Sequence, residues 1–180
     1  MREVEVKYQV RDNEALLVAL KRRGIEFAPA VYQDDQAYAP HGWSYGDAKL
    51  GVSFARLRTI GDQHTFTLKR PAENALSCDE YETAVADREQ MDQAILAMGF
   101  CPTVRIAKIR RTAVLDGLVL CVDKVEGLGT FLELERMVPD GMSGEAVQAE
   151  MAAFVTSLEV EVERTGETYD SLVRAALASA

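Results

Sequence analysis

Apolar and polar residues alternate along much of this chain with the two-residue period of a β-strand, and the polar member is charged on most of these stretches. Successive strand side chains point to opposite faces, so Glu3, Glu5 and Lys7 share one face of the first stretch while Val4 and Val6 share the other. The device returns at Arg56/Arg58, Lys69, Glu80/Glu82, Lys108/Arg110, Asp123 and Glu133/Glu135, nearly always with apolar partners on the opposite parity. Strands are predicted over Glu3–Lys7, Val31–Ala39, Ser53–Thr59, Thr65–Arg70, Cys78–Val85, Thr103–Leu115, Leu118–Val125 and Gly129–Val138. Pro40-His41-Gly42 ends the second, and Gly42–Gly51 reads as a loop. Gly61-Asp62-Gln63 and Asp116-Gly117 make tight connections, and Pro71 stops the Thr65–Arg70 strand.

Between the strands the period changes to that of a helix. Asp12 or Asn13 caps a helix running to about Arg23, with Leu16, Leu17 and Leu20 on its buried face and Gly24 as its stop. Asp87 caps a second over about Arg88–Met98, carrying Met91, Ala94, Ile95 and Met98 at helical spacing ahead of Gly99. Ser143 caps a third to about Ser157, and a last one runs from Tyr169 to the end. Glu159–Glu163, acids alternating with valines, reads as a short strand or a solvated connection. No linker, repeat or low-complexity segment interrupts the chain, so residues 1–180 are expected to be one domain.

A single alternating strand is ordinarily an edge with its charges in water. Recurrence changes that expectation. Helices lying between strands need an apolar sheet face to pack on, which Val4, Val6, Leu57, Leu68, Val122 and Leu134 supply. The charged face must then be the other one, which in a closed or nearly closed sheet is the interior. The predicted architecture is α+β: an eight-stranded antiparallel β-barrel with a charged interior and helices packed outside. Burying unpaired ions costs several kcal/mol each, so such an interior must be wet, cross-paired or filled by a charged ligand.

Composition narrows the ligand. A net charge of -9 argues against nucleic-acid binding, which needs a basic footprint, but leaves room for a local anion pocket. The basic set Lys7, Arg56, Arg58, Lys69, Lys108 and Arg110 suits a polyphosphate, the arginines adding planar two-point contacts. The acidic set Glu3, Glu5, Glu80, Glu82, Asp123, Glu133 and Glu135, without matching His or Cys, suits hard divalent cations such as Mg or Mn. A polyphosphate carried with its metals would neutralise both sets. Cys78, Cys101 and Cys121 lack C-x-x-C spacing and are expected to be buried free thiols. His41 and His64 sit in turn-like surroundings and are read as inert. With no leader and no membrane-length apolar run, the expectation is a soluble cytoplasmic protein with no membrane contact.

In order along the chain, these motifs resemble those of the CYTH superfamily, the triphosphate tunnel metalloenzymes. Glu3-x-Glu5-x-Lys7 is similar to its opening signature and Ala55-Arg56-Leu57-Arg58 to its paired-arginine strand. Thr67-Leu68-Lys69, Lys108-Ile109-Arg110-Arg111 and the block Asp123 to Glu135 follow, and Thr168-Tyr169-Asp170-Ser171-Leu172 resembles its Ser-Tyr-x-x-Leu tail with Thr for Ser. The resemblance implies a tunnel holding a triphosphate and divalent cations, Mg or Mn, two in number. Glu3, Glu5, Glu133 and Glu135 would be metal-side carboxylates, with Asp123 on the same acidic wall. Lys7, Arg56, Arg58, Lys69, Lys108 and Arg110 would hold the phosphates, and Glu80 and Glu82 would be additional acids. Glu126 has the opposite parity from Asp123 and is left in the turn.

The opening motif and the Cys78-Asp79-Glu80 stretch resemble the class IV adenylyl cyclase-like branch, which implies conversion of ATP to cyclic AMP and pyrophosphate, and a homodimer. Retention of both Arg56 and Arg58, and of both Glu133 and Glu135, is similar instead to the triphosphatases, whose substrates include tripolyphosphate, thiamine triphosphate and nucleotides. A module that binds polyphosphate without turnover is the third reading. Trp43 and Tyr45 in the Gly42–Gly51 loop either lid the tunnel and stack on a base or simply pack the loop.

Overall fold

The computed structural model describes residues 2–139 and 141–179. In chain order the elements are β1 (Arg2–Val10), α1 (Asn13–Arg22), β2 (Val31–Pro40), β3 (Phe54–Ile60), β4 (Gln63–Asn74), β5 (Ser77–Val85), α2 (Arg88–Ala97), β6 (Phe100–Leu115), β7 (Leu118–Val125), β8 (Gly129–Val138), α3 (Gly144–Thr156), β9 (Val162–Thr165) and α4 (Tyr169–Ala178). Hydrogen bonding runs β5-β4-β3-β2-β6-β7-β8-β1, and β1 returns to β5 through Arg2↔Asp79, Glu3↔Cys78 and Val4↔Ser77. Eight antiparallel strands therefore close into a barrel. β9 adds to the half of β1 that β5 leaves free, over Lys7–Val10, so the Glu159–Glu163 stretch leads into a strand.

Local chemistry sets the ends of these elements. Asp12, Asp87 and Ser143 accept from the backbone N–H of Ala15, Gln90 and Ala146, as helix caps do. Asp116 and Gly117 both have positive φ, 48° and 76°, the pairing that a two-residue hairpin with the right twist requires.

The apolar parity faces outward, onto helices. Val4, Val6, Val122 and Leu134 pack with Leu16 and Leu20 of α1 and with Val147, Met151 and Val155 of α3. Leu57 and Ala55 pack with Ile95 of α2. Each fully buried Leu, Ile or Val contributes roughly 1.5–3 kcal/mol relative to exposure. Satisfying both helical layers at once commits the charged parity to the barrel interior.

Three local expectations need correction. β4 does not stop at Pro71 but continues to Asn74. Pairing with β3 ends at Phe54↔Lys69, so the N–H that Pro71 lacks points where no strand asks for it, and its carbonyl accepts from the Gly51 N–H. Cys78 and Cys121 are buried but Cys101 is exposed. Phe100 takes the face of β6 that packs against α2, so its neighbour Cys101 alternates to the other side, at the rim. His64 lies in β4 rather than in a turn, its Nδ1 3.0 Å from Thr59 Oγ1. Among the described residues no helix is long and apolar enough to cross a membrane.

Candidate active site

Strand register assembles the charged interior. Lys7 lies directly across from Glu133, Glu5 from Glu135, Arg110 from Asp123 and Lys69 from Glu80. Residues opposed in this way share one face a few ångströms apart, so pairing follows from the ladder itself. Lys69 Nζ lies 3.0 Å from Glu3 and 2.8 Å from Glu80. Arg56 reaches Thr67 Oγ1 at 3.0 Å, Glu82 at 3.4 Å and Glu80 at 3.5 Å. Lys7, only 2% exposed, bridges Glu5 and Glu133, each at 3.2 Å. Arg110 is the hub: its Nε and Nη2 grip Asp123 at 2.7 and 2.6 Å, and it also pairs with Glu133 and with Glu135. Lys108 Nζ stands 3.2 Å from Asp123.

All the residues singled out from the sequence thus stand on the tunnel side of the barrel. One continuous cavity is lined by Glu5, Lys7, Arg56, Lys69, Lys108, Arg110, Glu133 and Glu135. Glu3, Glu80 and Glu82 stand beside this lining through the pairs above, Arg58 through Asp35, and Asp123, with no exposed surface, sits beneath Lys108 and Arg110. Glu82 is the most open of the acids, at 51% side-chain exposure.

Burial works against the charged form throughout the tunnel. Burial pushes the Glu135 carboxyl up to about 7; Arg110 offsets part of this, while Glu133, Glu3 and Glu5 add to it. Glu3 and Glu5 are raised as well, again chiefly by burial and against the pull of Lys69 and Lys7. Burial would also raise Glu133, but Lys7, Arg110 and Lys108 outweigh it and hold that carboxyl well below its ordinary value. Lys108 is pushed down to about 8 by burial and by Arg110 and Arg58. At Glu3, Glu5 and Glu135 burial thus disfavours the charged form more than the neighbouring lysines and arginines favour it, so a further positive charge beside them would be stabilising.

Among the described residues no cluster of acids, histidines or cysteines converges as a ready-made cation site. Each carboxylate is turned onto a lysine or arginine instead. The donor set still fits a hard divalent cation. It is all oxygen and largely buried, and a triphosphate entering alone would bring negative charge beside carboxylates whose charged form burial already disfavours. Anion binding has its own marker: Arg56 Nε is buried with no acceptor among the described residues.

Three contributors escaped the sequence reading. Asp35 on β2 is 2% exposed and forks onto Arg58, with both contacts at 2.7 Å. Burial opposes its charge, yet the Arg58 guanidinium wins and holds the carboxyl down at about 2. The signal that could have found it is Arg58 and Lys108 on strands flanking β2, both in need of an acid between them. Lys49, from the Gly42–Gly51 loop, reaches Thr168 Oγ1 at 2.8 Å and Ser171 Oγ at 2.7 Å, tying the loop to the start of α4. Thr168 makes no side-chain cap bond to α4, its hydroxyl being engaged with Lys49. Tyr169 enters the tunnel end itself.

Towards that end Ala37, Ile106, Trp43, Tyr45 and Phe54 join the lining, with the Lys49–Asp170 pair beside them. Trp43 stacks edge-on to Phe54 at 4.9 Å and to Tyr45 at 5.1 Å, and its Nε1 donates to the Ala48 carbonyl. The loop aromatics therefore pack one another and wall the pouch at the same time.

Comparison with known proteins places this geometry. The CYTH domain family matches residues 1–169. A Methanocaldococcus jannaschii protein named "putative adenylate cyclase" is 28% identical over 162 residues, covering 89% of this chain and 91% of that protein. A solved protein of Pyrococcus horikoshii superimposes with a TM-score of 0.79 at 21% identity, over 96% of this chain and 98% of the other. A Hippeastrum protein, described as a "putative adenylyl cyclase" that reveals a dominant triphosphatase activity, has a TM-score of 0.64 at 17% identity, over 97% of this chain and 96% of its own.

Proposed function

The chain belongs to the CYTH domain family, and from that premise we propose that it is a divalent-metal-dependent enzyme converting ATP to cyclic AMP and pyrophosphate. The observation that carries the reading is the continuity of the cavity. A charged tunnel suited to phosphates opens directly into an aromatic-walled pouch suited to a planar organic group. The name borne by the M. jannaschii relative points the same way.

In this reading Lys7, Arg56, Arg58, Lys69, Lys108 and Arg110 hold the triphosphate and fix the ribose over the α-phosphorus. Glu3, Glu5, Glu133 and Glu135 would hold Mg or Mn, and Asp123 orients Lys108 and Arg110 behind them. A bound divalent cation supplies Lewis acidity and counter-charge for the phosphate oxygens. The ribose 3′-oxygen bonds to the α-phosphorus as the bond from that phosphorus to the bridging oxygen breaks, and the hydroxyl proton ends on the departing pyrophosphate, which is basic enough to carry it. Pyrophosphate departs, and the six cations meet the charge that builds on it.

A second reading, hydrolysis of a terminal phosphate, draws support from the description of the Hippeastrum neighbour and uses the same cations. Purified protein incubated with ATP, tripolyphosphate or thiamine triphosphate, each with Mg and with Mn, separates the two by product chromatography. Cyclic AMP with stoichiometric pyrophosphate is expected from ATP. ADP and phosphate without cyclic nucleotide would exclude cyclisation in favour of hydrolysis.

A further inference from the structure

The start of α4 contributes more than closure. Tyr169 is 8% exposed and lies where the inward face of the barrel passes from charged to apolar, against Phe131 at 5.3 Å and 79°. Its ring carries two ammonium groups, with Lys7 Nζ 4.2 Å and Lys108 Nζ 4.7 Å from the centroid. Those lysines come from β1 and β6, which β7 and β8 separate in the barrel. The phenol donates to Asp123 Oδ2 at 3.0 Å, the same oxygen that Lys108 contacts at 3.2 Å. One residue before the helix cap, the Glu167 carbonyl accepts from Lys7 Nζ at 3.2 Å.

Resting on the reading of this tunnel as a triphosphate site, we infer that Tyr169 is a positioning residue that holds Lys7 and Lys108 on one aromatic face, aimed for phosphate oxygens. The choice of an aromatic ring has a physical reason. A carboxylate placed there would pair with the ammonium groups and compete with the substrate. The ring quadrupole attracts both cations in a desolvated site while neutralising neither. Lys108 gains most from this, because Asp123, the carboxylate within its reach, is shared with both Arg110 nitrogens. An aliphatic side chain of similar size would fill the apolar end against Phe131 equally well but leave Lys108 only its shared contact with Asp123, and Lys7 only its carboxylate and carbonyl partners. The hydroxyl is secondary, since Asp123 keeps its lysine and arginine partners without it.

The test measures binding apart from turnover, by calorimetric titration of tripolyphosphate with Mn present into wild type, Tyr169→Phe, Tyr169→Leu and Leu172→Ala. Leu172 packs in the same apolar cluster from the same helix and serves as a control for helix docking. Loss of a desolvated cation–π contact predicts a Kd about tenfold or more weaker for Tyr169→Leu, with Tyr169→Phe and Leu172→Ala within about threefold of wild type. If Tyr169→Leu does not fold, as judged by circular dichroism, Tyr169→Met is the second ringless variant. Wild-type affinity in the ringless variant would overturn the inference, as would an equal loss in Leu172→Ala or failure of Tyr169→Phe to bind. Wild-type protein that binds neither tripolyphosphate nor ATP would instead overturn the triphosphate reading, and this inference with it.

Discussion

Replacing Arg110 with methionine is expected to lower stability by about 3–5 kcal/mol, the usual cost of removing one partner from a buried ionic network. Asp123, fully buried, would lose a two-point guanidinium contact, and Glu133 and Glu135 would lose their shared cation. In a chain of 180 residues this corresponds to a fall in Tm of roughly 10 °C or more. The effect has a pH signature. Glu133 is held well below its ordinary value of 4.5, with Lys7 and Arg110 outweighing the opposing effect of burial. A depressed carboxylate stabilises the fold above its unfolded pKa, and that stability is lost as pH falls through the folded one. Wild type should therefore lose this contribution below about pH 4.5, and the variant, having less of it, should lose less. The gap between their melting temperatures should narrow on acidification. The surface pair Arg105–Asp34 is the contrast: Arg105 is 63% exposed, and Arg105→Met should leave the melting temperature close to wild type despite equally good geometry. Thermal melts from about pH 2 to 7 on both variants check the pair, and an Arg110→Met protein as stable as wild type would remove Arg110 from its role as hub.

The second large effect falls on catalysis rather than stability. Lys69→Ala and Arg56→Ala are each expected to lower kcat/KM for the triphosphate substrate by about 10²-fold or more, the usual loss when one preorganised donor to developing charge is removed. Both side chains keep solvent contact, with 28% and 20% exposure, so their carboxylate partners can rehydrate and the fold should persist. Arg56 is the more telling of the two, since its buried Nε has no acceptor among the described residues and a phosphate oxygen would supply one. Steady-state kinetics with circular dichroism as the folding control decide the matter. Unchanged kcat/KM in both variants would mean that phosphate is held elsewhere.

How much of this could be read beforehand follows the strictness of the alternation. Glu3-Val4-Glu5-Val6-Lys7 and Glu133-Leu134-Glu135 alternate strictly, so both the barrel and its inverted polarity were legible in them. Gln33-Asp34-Asp35-Gln36 does not alternate, and a register shift follows between Gln36 and Tyr38. Of the two neighbouring aspartates there, Asp34 pairs outside with Arg105 and Asp35 inside with Arg58, a distinction that pattern alone cannot make. Tyr169 was visible as a helix start and as part of a tail motif. Its position over two tunnel lysines depends on the path by which α4 returns to the barrel, which no local signal encodes. Lys49 was hidden for a like reason, since a loop residue acquires meaning only from what the loop is tied to.

If the barrel interior takes a triphosphate carried with divalent metal, tripolyphosphate titrated into the protein by calorimetry, once with Mn and once with a chelator, should show it. Because burial already disfavours charge on Glu3, Glu5 and Glu135, saturable binding is expected with Mn and at least about tenfold weaker binding without it. The Lys69→Ala protein should bind weakly in both conditions. Binding that is equally tight with and without metal, or no binding in either, would contradict the account.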